Sequence, residues 1–286
     1  MALHGCFVGI PSRNYRSVVP FLTIERTQRE KNLRLISHHQ MSSVWRFLAV
    51  KANGLSSHVP PPDRDLADAE PRKILMVHAH PLPGSFSAAV ASAVVAGAAD
   101  GAHSLRRVSL YGGFYGAGAY DPVLRPRERE VYKNSPAGKA RLADDVKSSL
   151  DDLYWCDTLI FVYPTWWFNV PAMLKGWVDR TFVPGAAGDG AFDFPGSGTA
   201  EPTATGLVPR LTNIQRVAGF STYGATRTIA LAAGDNGRNM IATALRPLFA
   251  PDCICRWHGL YAMDASTAEQ REQYLQQVRE IVASKL

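Results

Sequence analysis

The sequence predicts an α/β fold, a doubly wound five-stranded parallel sheet with helices on both faces. Three observations carry this. From Lys73 onward, short apolar runs alternate with stretches of helical length, the order that parallel strands joined by helical crossovers require. The runs, such as KILMVHAH and DTLIFVYP, are continuously apolar rather than alternating, as strands covered on both faces are. The chain has 286 residues, 46% apolar and 20% charged, which is enough apolar material for a substantial core.

The elements follow in order. KILMVHAH, from Lys73, is the first strand, and SFSAAVASAVVAGAAD is an Ala-rich helix that begins at a Ser. LRRVSLYG is the second strand. A Gly/Tyr-rich loop and a charged stretch lead to the helix GKARLADDVKSSLDDLYWC. DTLIFVYP is the third strand and VPAMLKGWVDRTF the next helix, with Met173, Leu174, Trp177, Val178 and Phe182 at core-facing spacing. A Gly/Pro-rich excursion over 185–212 precedes the fourth strand, QRVAGFSTYG. The helix RNMIATALRPLF, the strand CICRWHGLYAMD and the helix STAEQREQYLQQVREIVASKL complete the domain, with Ser266 and Glu269 reading as a capping box.

Composition excludes several classes. No apolar run approaches the ~18 residues of a transmembrane helix. The net charge is +6, but the basic residues are scattered along the chain, with no Lys/Arg cluster of the kind a nucleic-acid face shows. Cys6, Cys156, Cys253 and Cys255 show neither zinc spacing nor CxxC and read as reduced structural thiols, and no metal site is expected. Residues 1–72 stand apart from the repeating pattern. Within residues 1–58, eight Lys/Arg face only Glu25 and Glu30, and HVPPPDRDLADAEPRK reads as a linker. Two readings apply to this extension: an organellar transit peptide, clearest from Met41, or an extended start with nothing targeted. The expected location is the cytosol, with mitochondrion or plastid as the alternative.

In a doubly wound sheet, ligands bind at the carboxyl ends of the strands. Three stretches fall on that rim. HAHPLPGSFS places His78, His80, Ser85, Phe86 and Ser87 at a helix start, where unpaired amides and hydroxyls suit an anion; the alternative is that Ser85 is only a cap. PTWWFNVP puts Trp166, Trp167 and Phe168 where Gly, Asn and Asp are usual, which suits a wall for a flat ligand. STYG offers small polar groups and backbone donors through Ser221, Thr222, Tyr223 and Gly224.

ILMVHAHPLPGSFS and VYPTWWFNVPAMLKGWVDR resemble the NAD(P)H:quinone oxidoreductases with a flavodoxin-like sheet, the DT-diaphorase type and its bacterial relatives. The resemblance covers residue 73 to about 280. It implies bound FAD, or FMN, with NADH or NADPH as reductant, a quinone-like acceptor, and a homodimer with its site at the subunit interface. By the same resemblance, His80, Ser85, Phe86 and Ser87 contact the flavin phosphate and ribityl chain. Pro164, Thr165, Trp166, Trp167 and Phe168 run along the isoalloxazine, with Trp167 and Phe168 facing nicotinamide and quinone. Ser221, Thr222, Tyr223 and Gly224 lie near the ring's N1 and O2 edge, and Tyr223 joins Trp167 and Phe168 as a catalytic candidate. The chain departs from the mammalian type in GATRTIALAAGDNGRN, which lacks the Tyr and His proposed there to relay a proton. A flavin-dependent oxidoreductase is therefore the expected function. A flavodoxin-like regulatory subunit of an ion transporter is the alternative, with 185–212 as its docking surface.

Overall fold

The computed structural model describes residues 70–112, 118–129, 142–185, 190–194 and 206–286; most of the extension over 1–72 lies outside them. The chain runs β1 (Lys73–His78), α1 (Phe86–Asp100), β2 (Ser104–Ser109), α2 (Pro126–Arg129), α3 (Asp144–Trp155), β3 (Thr158–Pro164) and α4 (Ala172–Thr181). The two-residue strands β4 (Phe192–Asp193) and β5 (Val208–Pro209) pair antiparallel inside the excursion. Then come β6 (Arg216–Thr222), α5 (Arg227–Ala232), α6 (Asn236–Asn239), β7 (Ile254–Leu260) and α7 (Ala268–Ser284).

The main sheet is five-stranded and parallel in the order β2-β1-β3-β6-β7. Its continuous apolar strands split by parity, because successive side chains leave opposite faces. Leu75, Val77, Leu159, Phe161 and Val217 pack under α3 and α4, with Leu153, Leu174 and Trp177. Ile74, Met76, Ile160, Val162, Ala218 and Phe220 pack under α1 and α7, with Val90, Val94, Val278 and Val282. Gly97 allows α1 and α7 to touch: a Cβ there would lie 2.4 Å from the carbonyl oxygen of Arg279.

Four details differ from the sequence reading. The closing helix is capped one residue later, by Thr267: its Oγ1 accepts from the Gln270 amide at 3.2 Å, and Gln270 Oε1 accepts from the Thr267 amide at 2.9 Å. Ser266 instead donates to the Met263 carbonyl at 2.6 Å and closes the preceding turn. The single helix expected over 238–249 is α6 followed by a π turn, Met240–Leu245, and a 3-10 turn, Arg246–Leu248; Pro247 cannot donate to a regular helix. The helix α5 lies where a loop was expected, capped by Thr226. The fifth strand stops at Leu260, because Ala262 turns left-handed at φ 51°.

The KGWVDR segment is internal architecture. Trp177 is buried, donates Nε1 to Ser149 Oγ at 3.1 Å, and meets Phe161 and Phe182 edge-on. Arg180 is also buried. It donates to Glu128 and Asp145 at 2.6 Å each and to the Asp121 carbonyl, and its guanidinium lies over the Tyr120 ring. Three helices, α2, α3 and α4, are thus tied at one buried cation. Arg180→Met leaves Glu128 buried without its partner, which costs about 3–5 kcal/mol. Urea unfolding should show a correspondingly lower midpoint.

Candidate active site

The strand order reverses between β1 and β3, since the chain goes from β1 outward to β2 and returns on the other side to β3. Helices diverge at such a point and leave a crevice at the carboxyl ends. The three predicted loops meet there. The Ala79 amide donates to Val162 O at 3.0 Å, and the Thr165 amide donates to Thr222 O at 2.7 Å. Thr165 Oγ1 and Ser221 Oγ share a hydrogen bond of 3.0 Å. Trp166 sits between His80 and Tyr111, with ring centroids 6.0 and 6.4 Å away.

In the first loop, Ser85 caps α1: its Oγ accepts from the Ala88 amide at 3.1 Å. Ser87, expected at the ligand, turns inward instead, with Oγ 3.3 Å from Nε2 of the fully buried His78. Anion-binding capacity therefore rests on the first-turn amides at Phe86 and Ser87, which helical geometry leaves without intrahelical acceptors. Gly84 faces open space: a Cβ there would meet nothing within 4 Å. His80 is half exposed and accepts the Leu82 amide at Nδ1, at 3.0 Å. The Phe86 ring lies 6.3 Å from that of Tyr274 on α7.

The second loop is a strained turn. Trp166 and Asn169 exchange both backbone hydrogen bonds at 3.0 Å, which makes Trp167 and Phe168 the central pair. Both are left-handed, at φ 51° and 56°. Asn-Gly normally fills such a pair, because a left-handed L-residue costs roughly 1–2 kcal/mol. Trp167 is nevertheless 95% exposed, Trp166 39%, and Phe168 half-buried. Backbone strain that displays bare aromatics points to a binding role.

The third loop corrects one expectation. Tyr223, expected to touch the ligand, is 2% exposed. Its hydroxyl donates to Asp235 Oδ1 and accepts from Trp257 Nε1, both at 3.0 Å, and its ring stacks on Tyr261 at 4.4 Å. Its amide and carbonyl are also used, toward Leu260 and Met263. Burial, then the neighbouring Asp235, pushes the phenol pKa well up, so the side chain stays a neutral donor. Tyr223 thus supports the loop from behind. Ser221 and Thr222 are buried too, and Gly224 is the exposed member. Asp235, itself buried and left-handed at φ 41°, and Trp257 are site residues that the sequence reading missed; their only signals were the GD of GDNG and a Trp in a strand. Away from this rim, burial followed by Asp157 pushes the Cys156 thiol up to about 12, which keeps it inert.

Two outcomes follow. Trp167→Asn replaces an exposed aromatic by a residue that tolerates the left-handed region, so it should raise stability by about 0.5–1 kcal/mol in urea unfolding while weakening any ligand stacked on the turn. Burial, then His80, lowers the His78 pKa from 6.5 to about 4. The unfolded chain then binds the proton that the fold refuses. Stability contributed by His78 is intact above pH 6.5 and is lost as pH falls toward 4, by roughly 3 kcal/mol at most. Unfolding midpoints measured across that window should fall, and the slope should shrink in His78→Gln.

Comparison with known proteins agrees with this architecture. The chain is 34% identical over 119 residues to the uncharacterized NAD(P)H oxidoreductase YcaK of Escherichia coli strain K12, covering 41% of this chain and 57% of that protein. It is 32% identical over 132 residues to human ribosyldihydronicotinamide dehydrogenase [quinone], covering 44% and 55%. The chain spans about half the length of the curated relatives it matches. Among solved structures, Smu.1420 from Streptococcus mutans UA159 superposes with a TM-score of 0.57 at 25% identity, covering 74% of this chain and 98% of that one. Residues 72–282 match the flavodoxin-like fold family, and the chain belongs to it.

Proposed function

We propose that the chain is a flavin-dependent NAD(P)H oxidoreductase that reduces a quinone or similar acceptor. The observation that carries this reading is the strained turn at Trp167 and Phe168, which displays aromatic surface beside an open helix N-terminus. The residues fit a flavin. First-turn amides at Phe86 and Ser87, beside Gly84, suit its phosphate. Thr165 and Gly224 border its ring. Trp167 and Phe168 supply stacking area for the nicotinamide and the acceptor in turn. Bound there, the flavin supplies two-electron redox chemistry between the two. The protein's part is placement and exclusion of water.

A cavity of about 510 Å³ runs along α7, lined by Tyr261, Gln270, Gln273, Tyr274 and Gln277. Tyr274 joins it to Phe86. Room of this kind beyond the phosphate favours FAD over FMN. The surface also favours a homodimer. The six-residue α5 exposes 53% of Ile229 and 48% of Leu231, close in sequence to the third loop. A helix this short has little stability of its own in water, and an apolar face on it calls for a cover. A second copy seated there also shields the aromatic turn.

NADH or NADPH, added anaerobically to flavin-loaded protein, should bleach the flavin's visible absorbance, and a quinone should restore it. Persistent absorbance after reductant defeats the reading. Ile229→Glu should shift sedimentation from dimer to monomer and lower turnover, while the fold, measured by circular dichroism, stays intact.

A further inference from the structure

A second cavity, of about 310 Å³, opens at the free edge of β7. Arg227 from α5 and Arg238 from α6 line it, with Trp257, His258 and Tyr261 of the β7 segment and Gln277 of α7. We infer that this is a phosphate subsite for the reductant, in which Arg227 and Arg238 read the 2′-phosphate of NADPH. The inference rests on the oxidoreductase reading above.

Two guanidiniums from separate short helices converge here. Arg227 has no ion-pair partner among the described residues, and Arg238 has its nearest carboxylate, Asp235 Oδ2, at 3.8 Å. Asp235 is buried, with its other oxygen bound to Tyr223, and no carboxylate is among the described residues that line the cavity. Arginines that line a cavity with no carboxylate in its wall suit a planar, bidentate oxyanion contact. A phosphate monoester carries about −1.5 to −2 at neutral pH, more charge per phosphorus than a diester-like pyrophosphate, so it gains most from a pair of arginines. Trp257 and His258, which line this cavity and not the one along α7, supply ring surface for the attached adenosine.

The place suits a dinucleotide that begins at the aromatic turn. Gly259 pairs with Ser221 in the sheet, and Ser221 with Tyr163 of β3, so the cavity lies two strand spacings from the β3 rim, roughly 10 Å. Tyr261 stacks directly on Tyr223 of the third loop. The cavity shares Gly259, Tyr261, Tyr274 and Gln277 with the larger one along α7, whereas Arg227 and Arg238 line only this one.

The test is calorimetry of 2′,5′-ADP and of ADP against the full chain, alongside steady-state kinetics with NADPH and NADH. Arg227→Ala and Arg238→Ala should each weaken 2′,5′-ADP by about tenfold or more, weaken ADP far less, and lower the NADPH/NADH ratio of kcat/KM by a similar factor. Arg227→Lys, which keeps the charge, should recover part of it. Unchanged 2′,5′-ADP affinity overturns the inference. Equal losses for both nucleotides overturn it in favour of a pyrophosphate contact, and loss of bound flavin overturns it in favour of the flavin's own phosphates. Because calorimetry needs no turnover, selective 2′,5′-ADP binding without flavin reduction would retain the subsite and defeat the oxidoreductase reading. Flavin reduction by both nucleotides without selective binding would do the reverse.

Discussion

The rim of this molecule depends on β3 being held from both sides. β3 pairs with β1 from Thr158 to Val162 and with β6 from Thr158 to Pro164. The clamp continues one residue past the strand, through the Thr165 amide to Thr222 O and the Thr165–Ser221 hydroxyl pair. Only a chain anchored this firmly can carry two left-handed aromatic residues three positions on. The same pairing brings the first and third loops alongside. One hydrogen-bonded strand therefore decides both where the crevice lies and what lines it.

Behind the rim, several buried polar groups are drawn into networks, while others, such as the Tyr163 hydroxyl, have no hydrogen-bond partner among the described residues. Tyr223, Asp235 and Trp257 form a chain of hydrogen bonds that fixes the floor of the third loop from within. Arg180 does the same for α2, α3 and α4, through Glu128 and Asp145. Such networks add little net stability over an apolar core of equal volume, because desolvation offsets their attraction. What they contribute here is geometry: the Tyr223 hydroxyl and the Arg180 guanidinium meet their several partners in one arrangement.

Exposure carries the complementary information. Among the described residues, the large apolar side chains left open are Leu82, Val123, Trp166, Trp167, Ile229 and Leu231, and all but Val123 belong to the three loops or to the helix that follows the third. The central strands β1, β3 and β6 are buried along most of their length. Water contacts apolar surface at the place where ligand, acceptor and second copy are proposed to bind. The cost of that exposure is carried in the free protein and would be offset by burial when a ligand or second copy covers it.

The sequence by itself determined the fold class, the strand order's general kind and the location of the rim. Continuous apolar runs separated by helical stretches admit little besides a parallel sheet, and a parallel sheet offers ligands only its carboxyl edge. It also identified Trp167 and Phe168, since aromatics in a turn conflict with local preference and need a reason. Tertiary structure alone decided which polar side chains face the crevice. Ser85, Phe86 and Ser87 are neighbours in sequence, yet one hydroxyl caps a helix and another turns inward to His78. Tyr223 sits in the predicted loop but spends its hydroxyl on Asp235, twelve residues away, and on Trp257 in the next strand. Arg227 and Arg238 converge only because α5 and α6 fold back beside β7. Backbone periodicity is local and can be read along the chain; the direction of a polar side chain depends on partners distant in sequence, which only packing brings within reach.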